Sequence, residues 1–278
     1  MARTATKASP ARAGRVARYS MRTIALVYLL FLLVLPIGLI VYRTFENGFT
    51  AFWDALTNDS ALHAFQLTLM VAIPAVIANT LFGIGAAILL ARHQFWGKRV
   101  FNALIDLPLA VSPVVVGLAL ILVYGSLTPI GGWLSDRGFD VIFAVPGMVL
   151  ATIFVSLPLV VRAVEPVLEE IGVEQEQAAW TLGATTWQAF RRITIPAIRW
   201  ALAYGMVLAL ARCLGEYGAV AVVSGNLVDQ TQTATLYVEQ AFNNFDQQGA
   251  YTMAFALMVV AVATLLLITV LRPKEETR

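Results

Sequence analysis

Six apolar runs, each about 20 residues or longer, leave this chain little choice of fold. They cover 24–42, 64–91, 103–124, 142–161, 201–223 and 251–271. A hydrocarbon core about 30 Å thick takes roughly 20 residues of α-helix to cross. Composition agrees, since 59% of the 278 residues are hydrophobic and only 13% charged, against about 25% charged in soluble domains. The expectation is an all-α integral membrane protein with six transmembrane helices. Pro74 lies inside the second run, which is long enough to tilt or kink.

The distribution of charge sets the orientation. Residues 1–23 hold six Lys and Arg and no acid. A cleaved signal peptide also starts basic, but the following 19-residue run ends in VYRTF without a small-x-small site. The segment therefore reads as a basic tail, 1–23, ahead of a retained signal-anchor helix. A nucleic-acid role for the tail is unneeded, because the positive-inside rule accounts for the charge. Placing the amino terminus in the cytoplasm puts 16 of the 19 Lys and Arg inside, with Arg43 and Arg137 outside and Arg212 within the membrane. Both termini are then cytoplasmic, with a permease domain over 24–271 and a short tail at 272–278. Cys213, the sole cysteine, falls in an apolar run and reads as a small buried hydrophobe.

The connection between the fourth and fifth runs has about 39 residues, whereas helix connections are commonly about 2–8. It must carry structure of its own, at 174–196. Glu174 and Glu176 lie at its start and Arg191 and Arg192 towards its end, the order a helix dipole favours. On periodicity alone it could be an amphipathic helix lying on lipid, with Trp180 and Trp187 as headgroup anchors. Gly183 either costs about 1 kcal/mol inside a helix or marks a bend where another backbone approaches. Pro196 is expected to close the segment. The spacing adds more. Gln177-Ala178-Ala179, three residues, Gly183, nine residues, then Ile193-x-Ile195-Pro196 resembles the EAA loop of bacterial ABC importer permeases. The departures are Gln177 for Glu, which removes a charge from that loop's contact, and Ile195 for Leu.

The resemblance extends over about 69–225. Leu107–Leu120 (LPLAVSPVVVGLAL), 146–168 (PGMVLATIFVSLPLVVRAVEPVL) and 191–226, with its GEYGAVAVVSG, are similar to sulfate and thiosulfate permeases, nearest to the W-type subunit. Molybdate and tungstate permeases share the Leu-Pro and Gly-Glu-Tyr/Phe-Gly elements and are the close rival. The resemblance implies the type I importer permease (MetI-like) fold and a coupling helix docked on a separate ATPase. It also implies a second permease of T type in a heterodimer, two ATPase copies and an extracytoplasmic sulfate-binding protein. The setting would be a bacterial inner membrane. The chain has no Gly-x-x-x-x-Gly-Lys-Ser/Thr phosphate loop. ATP and Mg would be used by the partner, this chain would bind no cofactor, and it would not be an enzyme. An ion-driven carrier is the reading from another class; inverted repeats and unpaired midplane acids would mark one, and neither is found.

Polar groups inside apolar runs are expensive, about 2.5–3.5 kcal/mol at a helix centre. Arg212 and Glu216, four apart, would share a helix face. They would either neutralise each other or line the substrate path, and the two roles are compatible. Ser112 and Pro113 would kink the third helix, with the Ser112 hydroxyl open to an anion. Asp106 is expected to cap or to pair with Arg99 or Arg92. Gly83, Gly85, Gly117, Gly215 and Gly218 are expected to allow close helix packing. His63 and His93 fall at opposite membrane ends, so no shared metal site follows. The outer loop 225–249 is acidic and could hold a short helix facing the binding protein.

Overall fold

The computed structural model describes residues 21–271; most of the amino-terminal basic tail and all of 272–278 lie outside the described residues. Every long element described is a helix. In chain order they are α1 (Met21–Phe45), α2 (Gly48–Leu56), α3 (Asp59–Arg92), α4 (Lys98–Ala110), α5 (Pro113–Tyr124) and α6 (Pro129–Ser135). There follow α7 (Val145–Ile171), α8 (Glu174–Thr181), α9 (Thr186–Leu214), α10 (Gly218–Ser224), α11 (Ala234–Asn243) and α12 (Gln247–Leu271). Five of them, α1, α3, α7, α9 and α12, are long and apolar enough to cross a membrane alone.

The expected third span is not one helix. α4 and α5 meet at 112°. The expected kink at Pro113 is a full break, and local chemistry explains it. Val111 and Ser112 are both extended; a residue preceding proline is pushed out of the α region, while Pro113 itself is preset to begin a helix. The 201–223 run breaks as well, between α9 and α10.

Two other prolines are accommodated inside their helices without ending them. Pro36 and Pro196 each follow a five-residue π turn, Leu30–Val34 and Phe190–Thr194. Proline has no N–H and crowds the preceding turn. A wider turn immediately upstream absorbs the missing bond, with Leu35 donating to Leu30 and Ile195 to Phe190. Pro196 therefore does not close the 174–196 segment, because α9 runs through it into the membrane-crossing stretch.

The core is a three-helix packing of α3, α7 and α9. Ala72, Ala75, Ala87, Val160, Val161, Val164, Ile198 and Ala209 are buried within it. Small residues let the backbones approach. At its centre the fully buried Asn79 of α3 donates to Ser156 (2.8 Å) and to the Ile153 carbonyl (3.0 Å) of α7, and the Cys213 thiol of α9 donates to Ser156 (3.3 Å). Gly83 is required where α3 crosses α7, since a Cβ there would lie 2.7 Å from Val160 Cγ1. Gly83→Leu is expected to destabilise the protein by ~1–3 kcal/mol through overpacking. Gly85, with open space at its Cβ position, should accept leucine without loss. Thermal midpoints of the two variants in detergent check the pair. Of the glycines expected to pack closely, Gly83, Gly117 and Gly218 do, whereas Gly85 and Gly215 have no tight neighbour.

Candidate functional site

Two places depart from plain helix packing: the excursion formed by α8 and the start of α9, and the paired helix breaks.

α8 begins with Glu174 and Glu176 in its first turn, near the positive end of the helix dipole. It ends in a Schellman motif. The Ala184 N–H donates to the Ala179 carbonyl and the Gly183 N–H to that of Trp180, both at 3.0 Å, with Gly183 at φ +87°. Gly183 is thus the residue after the helix cap, not an interior position. Apart from its chain neighbours, no atom of the described residues lies within 4 Å of where its Cβ would be, so the close backbone approach considered for it is not made among the described residues. Thr185 then opens α9 with a capping box, exchanging hydrogen bonds with Gln188. The 177–196 stretch is accordingly two helices at a sharp turn.

No residue of α8 is buried. Gln177, Ala178, Gly183 and Pro196 are exposed, while Ala179, Ile193 and Ile195 are half-buried. Trp180, Leu182 and Trp187 are exposed large apolar side chains, and the Trp187 ring packs tilted against Phe190 with centroids 5.4 Å apart. What holds α8 is Glu176. It lies 3.2 Å from Arg92 at the end of α3 and accepts the Thr194 hydroxyl at 2.8 Å. Sequence reasoning read Glu176 as a dipole acid and Arg92 as a topology charge or a partner for Asp106. Their partnership spans 84 positions, and no local pattern announces it.

The breaks meet in space. A Cβ at Gly218 would lie 3.2 Å from Pro113 Cβ, and one at Gly117 would lie 2.7 Å from Val222 Cβ, so α5 and α10 pack backbone to backbone beside Ser112 and Pro113. Between α9 and α10 the chain leaves the helix at Gly215. Glu216 therefore stands outside α9, contrary to the shared helix face expected for it and Arg212. The two still pair, with Arg212 Nη1 2.7 Å from Glu216 Oε2. That contact is close in distance but not aligned as a hydrogen bond. Glu216 Oε1 accepts the Ala219 N–H at 3.0 Å, capping α10, and its own carbonyl accepts the Thr235 hydroxyl of α11 at 2.7 Å. Glu216 is nearly fully buried, whereas the Arg212 side chain is 39% exposed. Ser112 is exposed, and its hydroxyl makes no cap bond to α5. Non-helical backbone at membrane depth persists only where its polar groups are satisfied or face a cavity. Here the Glu216 side chain satisfies the Ala219 N–H, and Thr235 of α11 satisfies the Glu216 carbonyl.

Asp106 meets neither Arg99 nor Arg92. It accepts from Arg162 Nε of α7 at 2.8 Å, and Arg162 also donates to Asn102 (2.8 Å) and Glu165 (2.6 Å). Arg92 is taken by Glu176. The contact joins α4 to α7 and lies on neighbouring helices, beyond the reach of sequence proximity. The 225–249 loop does contain a short helix, α11.

A helical membrane domain with broken spans and an exposed helical excursion has the architecture of a membrane permease. The chain belongs to the family of binding-protein-dependent transport system inner membrane components, whose model matches residues 79–276. It is 46% identical over 257 residues to "Sulfate transport system permease protein CysW" of Synechocystis sp., covering 92% of this chain and 93% of that one. It is 43% identical to the CysW protein of Escherichia coli (89% and 85% covered). A probable sulfate permease protein cysT of Chlorokybus atmophyticus is 38% identical (86% and 84%). Among solved structures, a bacterial alginate ABC transporter in complex with an alginate pentasaccharide-bound periplasmic protein superposes with a TM-score of 0.75 at 19% identity, covering 91% of this chain and 92% of that one. It shares the fold. As a multi-pass membrane permease of a binding-protein-dependent importer, the chain is not itself an enzyme.

Proposed function

We propose that the chain is the W-type transmembrane permease subunit of an ATP-driven sulfate/thiosulfate importer in a bacterial inner membrane. The observation that carries the reading is α8: a helix with no buried residue and with Trp180 and Leu182 exposed, at the spacing of a motif that docks an ATPase. An ATPase dimer covers it, using ATP and Mg, and this chain contributes Gln177, Ala178, Ala179, Gly183, Ile193, Ile195 and Pro196 to that contact. The positive-inside count supports six spans, with α4 and α5 together forming the third and both termini in the cytoplasm. A T-type permease pairs with the chain, and the 225–249 face meets an extracytoplasmic sulfate-binding protein. The oxyanion passes the break region, where Arg212, Glu216, Ser112 and Pro113 line its path. Sulfate is favoured over molybdate or tungstate because the relatives at 43–46% identity bear sulfate names. An ion-driven carrier does not fit membership of a binding-protein-dependent family.

Proteoliposomes holding this chain, a T-type permease and a sulfate-type ATPase, with binding protein outside, should import labelled sulfate only with internal ATP. Vanadate should block that uptake, and thiosulfate should compete better than molybdate. Uptake without the ATPase, or preferential competition by molybdate, would overturn the reading.

A further inference from the structure

α8 has no buried apolar face to seat it, yet it carries one well-shielded charge. The Glu176 side chain is 13% exposed and that of Arg92 10%. A single carboxylate oxygen, Oε1, accepts both Arg92 Nη2 and the Thr194 hydroxyl. Arg92 Nε is buried without a hydrogen-bond partner, so Glu176 is the group that compensates this cation. The two partners sit on different helices at mechanically distinct points. Arg92 is the last residue of α3, and Thr194 closes the π turn from which α9 enters its straight stretch Ile195–Leu214.

Through the covalent chain, α8 reaches that stretch only by way of the Schellman turn at Gly183, one short helical turn and the π turn. Each of these is a place where a helix can change angle. The Glu176 carboxylate bypasses all three. It ties the amino-terminal end of α8 directly to α9 and, at the same point, to α3. Those two helices are packed on α7 in one close-packed core, which resists deformation and passes displacement on. At ~1.5 Å per residue the straight stretch of α9 carries such a displacement about 30 Å to the Arg212–Glu216 break.

We propose that Glu176 is a positioning residue for transport: it transmits movement of the ATPase-docked α8 to α3 and α9 together, through Arg92 and Thr194. The proposal rests on the docking reading above. The experiment uses the assembled importer in proteoliposomes and reads substrate imported per ATP hydrolysed, alongside ATPase co-purification. Glu176→Ala should keep the ATPase bound and hydrolysing while import per ATP falls ~10-fold, within the range of coupling between distant sites. Exchanging the charges, Arg92→Glu with Glu176→Arg, should recover most of that loss. Thr194→Val, which replaces only the hydroxyl, should lower the ratio ~3-fold, the scale of one hydrogen bond. Wild-type import per ATP in Glu176→Ala overturns the proposal. Where Glu176→Ala does not assemble, Thr194→Val decides, and an unchanged ratio there overturns it equally. Failure of docking itself looks different: Leu182→Asp, on the exposed face, would leave ATPase co-purification intact, and both readings would fall.

Discussion

Gly183→Val should abolish most uptake while leaving the permease in the membrane. Gly183 sits at φ +87°, where a residue with a β-carbon carries roughly 1–2 kcal/mol of strain, and a β-branched one more. A strain of that size changes a two-state population about 5- to 30-fold. Open space around the Cβ position means the penalty comes from the backbone and not from a clash in this chain. The strained residue can relieve itself by unwinding the Schellman turn, which re-aims α8 relative to α9 and misplaces the exposed Trp180 and Leu182. Nothing in the core depends on that turn, so membrane levels should hold. Gly183→Asn tests the cause, because asparagine tolerates the left-handed region and should keep most uptake although it is larger than alanine. Immunoblotted membrane levels with initial uptake rates measure both. Unchanged uptake in the valine variant would sink the coupling role of the turn, and an asparagine variant as weak as valine would point to a steric cause instead.

The membrane character, the helical class and the presence of a structured excursion between the apolar runs were legible because each depends on runs of local composition. Prolines were legible in place but not in consequence. Pro113 marks a 112° break where a kink was expected, since the extended pair Val111–Ser112 precedes it. Pro196 lies within α9 and does not close the 174–196 segment as expected, because a π turn absorbs its missing donor. The second break, at Gly215–Tyr217, lies in an apolar run with no proline at all. Its stability comes from the Glu216 side chain on the Ala219 N–H and from Thr235, 19 residues along, on the Glu216 carbonyl. Neither a local cap of this kind nor a hydrogen bond between elements leaves a periodic signature. The same holds for the partners of Asp106 and Glu176, which lie 56 and 84 residues away. Sequence shows that a membrane charge needs a partner; only the packing of helices says which.

The Arg212–Glu216 pair separates a structural from a transport role most sharply. Arg212→Ala leaves the Glu216 carboxylate buried with one N–H donor, and an unpaired buried ion costs several kcal/mol. Uptake should fall more than about 10-fold on the scale where 1.4 kcal/mol is a factor of ten. That result alone would fit either role. Glu216→Gln is more informative, because the amide oxygen can still accept the Ala219 N–H and hold α10, while Arg212 loses its counter-charge. A half-exposed, unpaired guanidinium beside the break is a strong fixed anion site, and a fixed site holds a dianion that a paired one releases. The expected result is sulfate uptake with both KM and maximal rate lowered, a combination that a loosened fold does not produce. The double variant Arg212→Gln/Glu216→Gln removes both charges and the desolvation problem together. Were the pair only a brace, the double variant would regain the uptake lost by Arg212→Ala. If Arg212 meets the anion on its way through, thermal stability should return in the double variant and uptake should not.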